Sequence, residues 1–495
     1  MKNSTIDSFV RKGVVWTTIG QIAKELFLLV AIAILARILS PSDYGLMGGA
    51  MLVTRFAKTV GDIGMQNAIV QRSTLERSHI ASAFWFKLVL GLIVTTIIVV
   101  MSSFIERMLK MPGSAKMIQI VSICVLLDSV SAIPSAIIKK QLRYRSIAAL
   151  GVAESVIESL VAISCGIYGL GAISLAFAYV SSSVLRLFVQ LFISWRNFYI
   201  FPVTTKSFLE LIKYGKWIGL KNLIEFLSVN LDIFLISRFF GSVALGIYER
   251  SSSLVSRPTQ RLRQAFIGSL FPVFSKYQKD VNLVAETTKK IIGTYAAILF
   301  PICTWIACSS ESICLFLLGE QWIDCSPLIK IACLVNMLTP VLICRVWLLT
   351  TGYSAICAKI AMKVMIIHCI ILVIVIPFGT IGFMWGVFFS QLVEATLIIH
   401  SSRKTFDFGF LKVWNPIKPV LLCCFIQASL TSIGILYFGK KYPVALQLSF
   451  ETIFGFVIYI ISFSIVRPSA AWNEFIKLMS TVKNKGMIRD REGVS

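Results

Sequence analysis

Apolar stretches of about 20 residues recur from one end of this chain to the other. A helical stretch of that length crosses the ~30 Å hydrocarbon core of a lipid bilayer. Hydrophobic residues make up 57% of the 495 residues and charged residues only 15%, which excludes an ordinary soluble globular protein. The alternating segments of about ten residues that are typical of a membrane β-barrel are not found. The sequence therefore predicts an all-α, polytopic membrane protein.

We predict about fourteen transmembrane helices, some separated only by short turns that contain glycine. The predicted spans are centred in residues 14–36, 45–70, 83–105, 117–138, 147–168, 170–195, 214–237, 244–274, 290–317, 328–350, 359–377, 381–402, 417–438 and 446–466.

A net charge of +24 raises the question of nucleic-acid binding, but the positions of the cations favour another interpretation. Most of the 48 Lys and Arg residues fall in loops or at helix ends on the same predicted side of the membrane as the N-terminus. These loops include residues 139–145, 196–216 and 403–418. Short loops rich in Lys and Arg remain in the cytoplasm, where they face anionic lipid. We therefore predict a multi-pass membrane protein with both termini in the cytoplasm. No nucleic-acid partner is expected.

Catalytic and metal-binding signatures are missing from the sequence. The twelve Cys residues are scattered through apolar runs without a C-x-x-C pair, and the three His residues are far apart. The chain also has no P-loop sequence for nucleotide binding. We expect no cofactor, no metal and no enzymatic activity.

The first and second parts of the chain resemble each other at an offset of 201 residues. This offset places Arg37 on Arg238 and Gly45 on Gly246, in both cases around the end of an apolar run. Later in each copy the offset drifts to 211, which places Gly171 on Gly382. Because each copy holds six spans, the two copies have the same orientation, as in transporters built from parallel repeats.

The duplication predicts two pseudo-symmetric lobes of six helices that face each other across a transport path. We assign residues 1–200 to the N-terminal lobe and 201–405 to the C-terminal lobe. Residues 406–470 would form two additional helices, and residues 471–495 a basic cytoplasmic tail.

Ionisable residues within the first two spans of each predicted lobe indicate the chemical class of the substrate. Charges inside a membrane are costly and normally face a wet cavity or one another. Several of these residues are spaced so that they share one face of their helix. Arginine binds phosphate oxygens through two parallel hydrogen bonds, which suits an anionic substrate. The alternative to substrate binding, for each residue taken alone, is that its charge pairs with another residue or extends to the lipid head groups. The predicted anion-binding residues are Lys24, Arg55, Lys58, Arg250, Arg257 and Arg261.

Four acidic residues in the same spans are candidates for coupling transport to a proton or sodium gradient: Glu25, Asp62, Glu225 and Asp232. Asp62 lies one helical turn from Lys58, so we expect it to form an ion pair. Glu225 and Asp232 are the preferred candidates.

Four segments resemble a known family: "LARILSPSDYGLM" (35–47), "QNAIVQR" (66–72), "SLFPVFSKYQKD" (269–280) and "LLGEQWIDCSPLIKIAC" (317–333). They are similar to the Wzx-type polysaccharide flippases, which include O-antigen and colanic acid flippases. This family lies within the multidrug/oligosaccharidyl-lipid/polysaccharide exporter superfamily. The resemblance implies two six-helix lobes plus two trailing helices. It also implies that the protein lies in the bacterial cytoplasmic (inner) membrane and moves an undecaprenyl-diphosphate-linked oligosaccharide from the inner to the outer face of that membrane.

The resemblance further suggests membrane lipids, a polysaccharide polymerase and chain-length machinery as partners. Two other function classes remain open at this stage. A drug exporter of the same superfamily would need an acidic cavity for organic cations, whereas the predicted stripes are rich in arginine. A membrane-embedded polymerase or glycosyltransferase would need a large outer loop, whereas the outer loops are short.

Overall fold

The structure, a computed structural model, describes residues 24–25, 27–62, 65–71, 76–277, 280–438, 442–468 and 471–472. All regular structure in these residues is helical, which confirms the all-α prediction. Most of the predicted tail, residues 473–495, lies outside the described residues. The helices are α1 (Phe27–Ile38), α2 (Pro41–Gly61), α3 (Met65–Gln71), α4 (Arg77–Leu109), α5 (Ser114–Lys140), α6 (Tyr144–Ile167), α7 (Ala172–Ser194), α8 (Thr205–Lys276), α9 (Val281–Cys308), α10 (Ser310–Ile313), α11 (Cys325–Met337), α12 (Ile343–Thr350), α13 (Ser354–Ile374), α14 (Gly379–Phe406), α15 (Phe410–Phe438) and α16 (Val444–Val466).

Eleven helical segments of the described chain are long and apolar enough to cross a membrane, or twelve if the bent pair α1–α2 is one span. Ten of the fourteen predicted spans each match one such segment. The other four coincide with two interrupted helices, α1–α2 and α8. The polytopic architecture is confirmed, whereas the count of fourteen stays a prediction.

The two interrupted helices break at positions that the repeat relates to each other. α1 and α2 meet at an angle of 120° across Leu39 and Ser40. α8 is broken at Gly241, whose φ of 79° and ψ of −168° are outside the helical region. Gly241 follows Ser40 by 201 residues, the offset found in the sequence. A backbone with this positive φ suits glycine because it lacks a Cβ atom.

The segment "SPSDYG" builds the start of α2. Ser40 is the N-cap residue and Pro41 follows it, a position where the missing N–H costs no hydrogen bond. Asp43 closes a capping box, accepting hydrogen bonds from the Ser40 backbone at 2.9 Å and the Ser40 hydroxyl at 2.7 Å. Its other carboxylate oxygen accepts a hydrogen bond from the backbone N–H of Ala172, so Asp43 also fixes the start of α7.

The start of α2 lies directly against α8 just beyond its break. A Cβ atom on Gly45 would overlap the carbonyl oxygen of Ser242, and one on Gly246 would overlap that of Pro41. The hydroxyls of Ser42 and Ser242 are 2.8 Å apart and share a hydrogen bond. The glycines that the repeat pairs in sequence are therefore where two backbones approach closely.

Small residues also allow α2 to pack closely on α5 and α7. Ala50 and Ala57 of α2 are buried with Met117 and Val121 of α5 and Ala176 of α7. Close approach through small side chains is typical of helix packing in membranes, where the lipid supplies no hydrophobic driving force between helices. This packing brings the polar end of α2 to the middle of α5 and α7.

The described chain forms two compact units. The first contains residues up to Glu249 together with the short segment Leu317–Gln321, and the second contains the remainder. The short segment is anchored by Gln321, whose amide donates hydrogen bonds to the carbonyl oxygens of Ala36 at 2.6 Å and Leu39 at 3.2 Å. Gln321 thereby satisfies backbone groups that the break after α1 leaves open. The predicted lobe boundaries at residues 200 and 405 stay a prediction.

Candidate functional site

A polar cavity of 630 Å³ lies within the first compact unit. Its walls come from α2, α3, α4, α5, α7 and the part of α8 before Gly241. Four of the contributing segments belong to long apolar helices that qualify as membrane spans. Charged side chains in such a place are costly, and they mark paths for substrates or ions. The charged residues that line the cavity are Lys58, Asp62, Lys87, Asp128, Arg186 and Glu225.

Lys58 of α2 lines the cavity. Its ammonium group forms an ion pair with Asp128 of α5 and donates a hydrogen bond to the hydroxyl of Tyr179 at 2.7 Å. The same ammonium lies 4.9 Å from the centre of the Tyr179 ring, within cation–π range. Groups from three helices thus surround the Lys58 ammonium, and about one-quarter of the Lys58 side chain remains exposed.

Arg186 of α7 extends this ion-pair network. Its Nε and Nη2 atoms donate to the two carboxylate oxygens of Glu154 at 2.9 and 3.2 Å. Its Nη1 atom donates to Asp128 at 3.0 Å. Asp128 therefore bridges Lys58 and Arg186. The fork of the guanidinium group matches a carboxylate in this geometry, which an ammonium group does not reproduce.

A second ion pair closes the end of α2. Lys87 of α4 donates to the carbonyl oxygen of Gly61 at 2.8 Å and lies 3.3 Å from the carboxylate of Asp62. Its side chain is only 5% exposed. A cation at a helix C-terminus is favourable because the last carbonyl groups carry partial negative charge.

Neutral amides complete the lining. Gln66, Gln190, Asn222 and Asn230 all face the cavity. The Gln190 Oε1 atom is buried and has no hydrogen-bond partner among the described residues. Amide groups both donate and accept hydrogen bonds, so they suit ligands with many hydroxyl groups.

The structure brings only some of the predicted residues together. Lys58, Asp62 and Glu225 line the cavity, whereas Arg55 is exposed and Lys24 and Glu25 are not part of the lining. Asp62 forms the expected ion pair, but its partner is Lys87 and not the nearby Lys58, because Lys58 points to Asp128.

Asp232 lies farther along α8, where its carboxylate accepts hydrogen bonds from the Tyr248 hydroxyl at 2.6 Å and from the Ile233 backbone at 2.8 Å.

The remaining predicted cations belong to the second unit. Arg250 is 8% exposed, and its guanidinium group lies 5.9 Å from the ring of Trp322. Arg257 and Arg261 are exposed on α8. Their role in substrate binding stays a prediction. The cavity of the first unit carries three cations and three acids among its lining residues, so the predicted excess of positive charge is not found along it.

Sequence reasoning missed Lys87, Asp128, Glu154 and Arg186. Each is an isolated charged residue in an apolar span. Because burying such a charge costs free energy, its presence in the span was a sequence signal that could have identified the residue. The residues predicted from the sequence lie in the first two spans of each lobe, whereas the network joins α2 to the later helices α5, α6 and α7.

Comparison with known proteins places the chain in a family. A family model described as "Polysaccharide biosynthesis protein" matches residues 34–327, more than half of the chain. The chain belongs to the polysaccharide biosynthesis protein family. This family membership agrees with the sequence resemblance.

Named relatives of this polysaccharide biosynthesis protein are moderately similar in sequence. The lipopolysaccharide biosynthesis protein WzxC of Escherichia coli is 23% identical over 66% of this chain and 67% of its own length. The teichuronic acid biosynthesis protein TuaB of Bacillus subtilis is 22% identical over 68% and 69%. The succinoglycan biosynthesis transport protein ExoT of Rhizobium meliloti is 24% identical over 67% of both chains.

Solved structures of two kinds share the fold of this polysaccharide biosynthesis protein. The lipid II flippase MurJ in an inward closed conformation has a TM-score of 0.76 at 14% identity, covering 91% of this chain and 98% of MurJ. An inward-facing multidrug resistance MATE family transporter of the MOP superfamily has a TM-score of 0.57 at 16% identity, covering 80% and 98%. The chain is thus a multi-pass membrane protein with a MurJ- and MATE-like fold.

Proposed function

We propose that this protein is a flippase for lipid-linked oligosaccharides. It would move undecaprenyl-diphosphate-linked repeat units from the inner to the outer leaflet of the bacterial cytoplasmic membrane for surface polysaccharide synthesis. The observation that carries the proposal is the charged, amide-lined cavity between long apolar helices in a chain of this family. Two of the relatives, a lipopolysaccharide biosynthesis protein and a succinoglycan biosynthesis transport protein, support it.

The proposed mechanism depends on replacing water around the diphosphate. Burying its negative charges costs several kcal/mol each unless cations and hydrogen-bond donors take the place of water. Lys58 and Arg186 could supply such contacts by exchanging Asp128 for phosphate oxygens. We also propose that Lys24, Arg55, Arg250, Arg257 and Arg261 contact the anion during transport.

The amides of the cavity would bind the sugar part of the substrate. Gln190 has a buried oxygen that is ready to accept a hydrogen bond from a hydroxyl group. Asn222 and Gln66 provide both donors and acceptors. Transport would make and break no covalent bonds, so the protein would act as a carrier and not as an enzyme.

Coupling to an ion gradient belongs to the same proposal. Among Glu25, Asp62, Glu225 and Asp232, the acids that line the cavity are Asp62, which is paired with Lys87, and Glu225. If Glu225→Gln and Asp232→Asn together leave flipping intact and still dependent on the gradient, the coupling site lies elsewhere.

A strain that lacks the protein tests the function. We expect undecaprenyl-linked repeat units to accumulate on the cytoplasmic leaflet, and their glycan would identify the substrate. Arg257→Ala and Arg261→Ala should reproduce this accumulation without loss of protein from the membrane. Lys404→Ala, which removes an exposed cation from the end of α14, is the matched control. Normal export without the protein would contradict the proposal.

A further inference from the structure

An arginine and a glutamate form an ion pair within the second compact unit. Arg345 lies on α12 and Glu394 on α14, and both helices belong to segments that are long and apolar enough to cross a membrane. The Nη1 atom of Arg345 donates a hydrogen bond to Glu394 Oε1 at 3.0 Å. Charges inside a membrane are costly, and they normally face the interior of a helix bundle or a water-filled path. The pair therefore marks a candidate site apart from the cavity of the first unit.

The sequence repeat relates the helices of this ion pair to α5 and α7. The span that contains α11 and α12 begins at Cys325, which is 211 residues after Ser114, the first residue of α5. The same offset relates Gly171, at the start of α7, to Gly382 of α14. The α11–α12 span is thus the counterpart of α5, and α14 is the counterpart of α7.

Both copies of the repeat join these helices through an ion pair, but the charges are exchanged. Asp128 of α5 pairs with Arg186 of α7, whereas Arg345 of α12 pairs with Glu394 of α14. The two arginines also differ in how many of their donors are used. Arg186 engages Nε, Nη1 and Nη2 on two carboxylates, those of Asp128 and Glu154. Arg345 engages only Nη1, on one carboxylate oxygen.

The guanidinium group of Arg345 therefore keeps donors for another ligand. Its Nε and Nη2 atoms have no hydrogen-bond or ion-pair partner among the described residues. The Arg345 side chain is 42% exposed, compared with 27% for Arg186. A guanidinium group presents its N–H donors in a planar fork that matches phosphate oxygens through two parallel hydrogen bonds. A phosphate group can thus bind Arg345 while Glu394 stays in contact.

The position of Glu394 places this guanidinium group inside the membrane and not at the head groups. Glu394 lies near the middle of its span, Ile376–Phe406. Arg345 precedes the end of its own span at Thr350 by about 7 Å along the helix. By the predicted topology both spans end in the cytoplasm. The pair therefore lies in the half of the spans that a substrate from the inner leaflet meets first.

We propose that Arg345 is a phosphate-binding residue of the second repeat and that Glu394 positions it. The ligand chemistry is a phosphate group carried on a lipid, held by the Nε and Nη2 donors without making or breaking a covalent bond. Such a group belongs either to the diphosphate of a lipid-linked substrate or to a membrane phospholipid. The depth of the pair in the span favours the diphosphate. That assignment rests on the proposed flippase function.

Binding of undecaprenyl diphosphate, a probe that carries the phosphates without a glycan, tests the site. Native mass spectrometry of the purified, full-length protein measures its affinity. We expect Arg345→Gln to bind the probe about tenfold more weakly, the loss typical of a charge-assisted hydrogen bond. Arg345→Lys should recover only part of the affinity because an ammonium group lacks the fork. Undecaprenol, which has no phosphate, should bind equally to all variants.

Glu394→Gln separates phosphate binding from a purely structural ion pair. It frees the guanidinium group, so it should bind undecaprenyl diphosphate more tightly than the parent protein does. The double variant Arg345→Gln with Glu394→Gln leaves no unpaired charge in the membrane, which protects the fold, and it should bind as weakly as Arg345→Gln. Arg403→Gln, which removes an exposed arginine at the end of α14, is the matched control and should bind normally. Equal affinities of the parent protein and the folded double variant would overturn the proposal.

Phosphatidylglycerol, tested in the same way, distinguishes the two sources of the phosphate. If Arg345→Gln weakens binding of phosphatidylglycerol and not of undecaprenyl diphosphate, the site belongs to a resident phospholipid and the substrate assignment is wrong. Flipping in reconstituted vesicles is a separate measurement. If the parent protein moves no lipid-linked oligosaccharide, the flippase function fails, but the binding result still decides the role of Arg345. If the parent protein flips the substrate and Arg345→Gln changes neither binding nor flipping, the phosphate site fails and the flippase function stands.

Discussion

Asp128 is the residue on which the ion-pair network of the cavity depends. It accepts hydrogen bonds or ion pairs from both Lys58 and Arg186, and 19% of its side chain is exposed. Removing one member of such a pair leaves the other charges in a poorly solvated place. Arg186 would still be held by Glu154, whereas Lys58 would keep only the Tyr179 hydroxyl.

We therefore expect Asp128→Ala to lower the free energy of unfolding by about 2–3 kcal/mol, less than for a fully buried pair because water reaches part of the site. Thermal unfolding of the solubilised protein measures this change. The double variant Lys58→Met with Asp128→Leu removes both charges and should recover much of the stability. It should still fail in export, since the proposed anion contact is gone. Full export by the double variant would show that the network is only structural.

Arg186 provides a test of geometry at constant charge. Arg186→Lys keeps the positive charge but loses the two parallel hydrogen bonds to Glu154. We expect reduced export with normal membrane insertion. Arg196→Lys, at an exposed position of the short 3-10 helix Trp195–Asn197 that follows α7, is the matched control and should be neutral. Equal export by both variants would mean that the fork of Arg186 has no functional role.

At this scale the sequence identified residue types better than residue partners. Lys58 and Asp62 were found because they share one face of an apolar helix. Their partners, Asp128 and Lys87, come from helices 25 to 70 residues away in sequence, as fixed by packing between α2, α4 and α5. Single-helix periodicity carries no information about such long-range contacts, so the pairing could not be predicted.

At the scale of helices, the crossing of α2 and α8 depends on two glycines. Gly45 and Gly246 each face a backbone carbonyl that leaves no room for a side chain. We expect Gly45→Ala or Gly246→Ala to lower the free energy of unfolding by about 1–3 kcal/mol through overpacking. Gly151→Ala in α6, where a Cβ atom meets open space, should instead leave stability unchanged or raise it. Thermal unfolding compares the three, and equal stability would contradict the close crossing.

Helix prediction from the sequence succeeded where spans are separated by turns and failed where they are not. Ten spans could be located from hydropathy alone. The continuous helical run through 205–276 could not be interpreted in the same way, because Gly241 interrupts the helix by its backbone angles without a loop. The motif "SPSDYG" likewise marked the family correctly, but its residues cap and cross helices and do not line the cavity.

At the scale of the whole molecule, orientation in the membrane is the first prediction. The excess of Lys and Arg in loops on one side predicts cytoplasmic positions for both termini. A reporter domain that is active only in the cytoplasm should therefore be active when it is fused to either terminus. A C-terminus outside the cytoplasm would contradict both the even number of spans and the parallel repeat.

We propose that the two predicted lobes alternate between inward-open and outward-open states, in which case the crossing between Ser42 and Ser242 opens during transport. Their hydroxyls are 2.8 Å apart, so cysteines at both positions should form a disulfide under mild oxidation. We expect the oxidised double variant to lose export and to regain it after reduction, whereas each single cysteine variant should export in both states. Export that continues with the disulfide intact would show that this crossing stays closed throughout.

Reconstitution tests the central claim of lipid-linked oligosaccharide flipping most directly. Vesicles that contain the purified protein and the undecaprenyl-linked repeat unit are treated with a membrane-impermeant reagent that modifies the glycan. We predict that the pool protected in the inner leaflet becomes accessible when the protein is present. We expect this pool to stay protected in empty vesicles and in vesicles with the Lys58→Met, Asp128→Leu double variant. A pool that stays protected in the presence of the folded parent protein under an imposed proton gradient would contradict the claim.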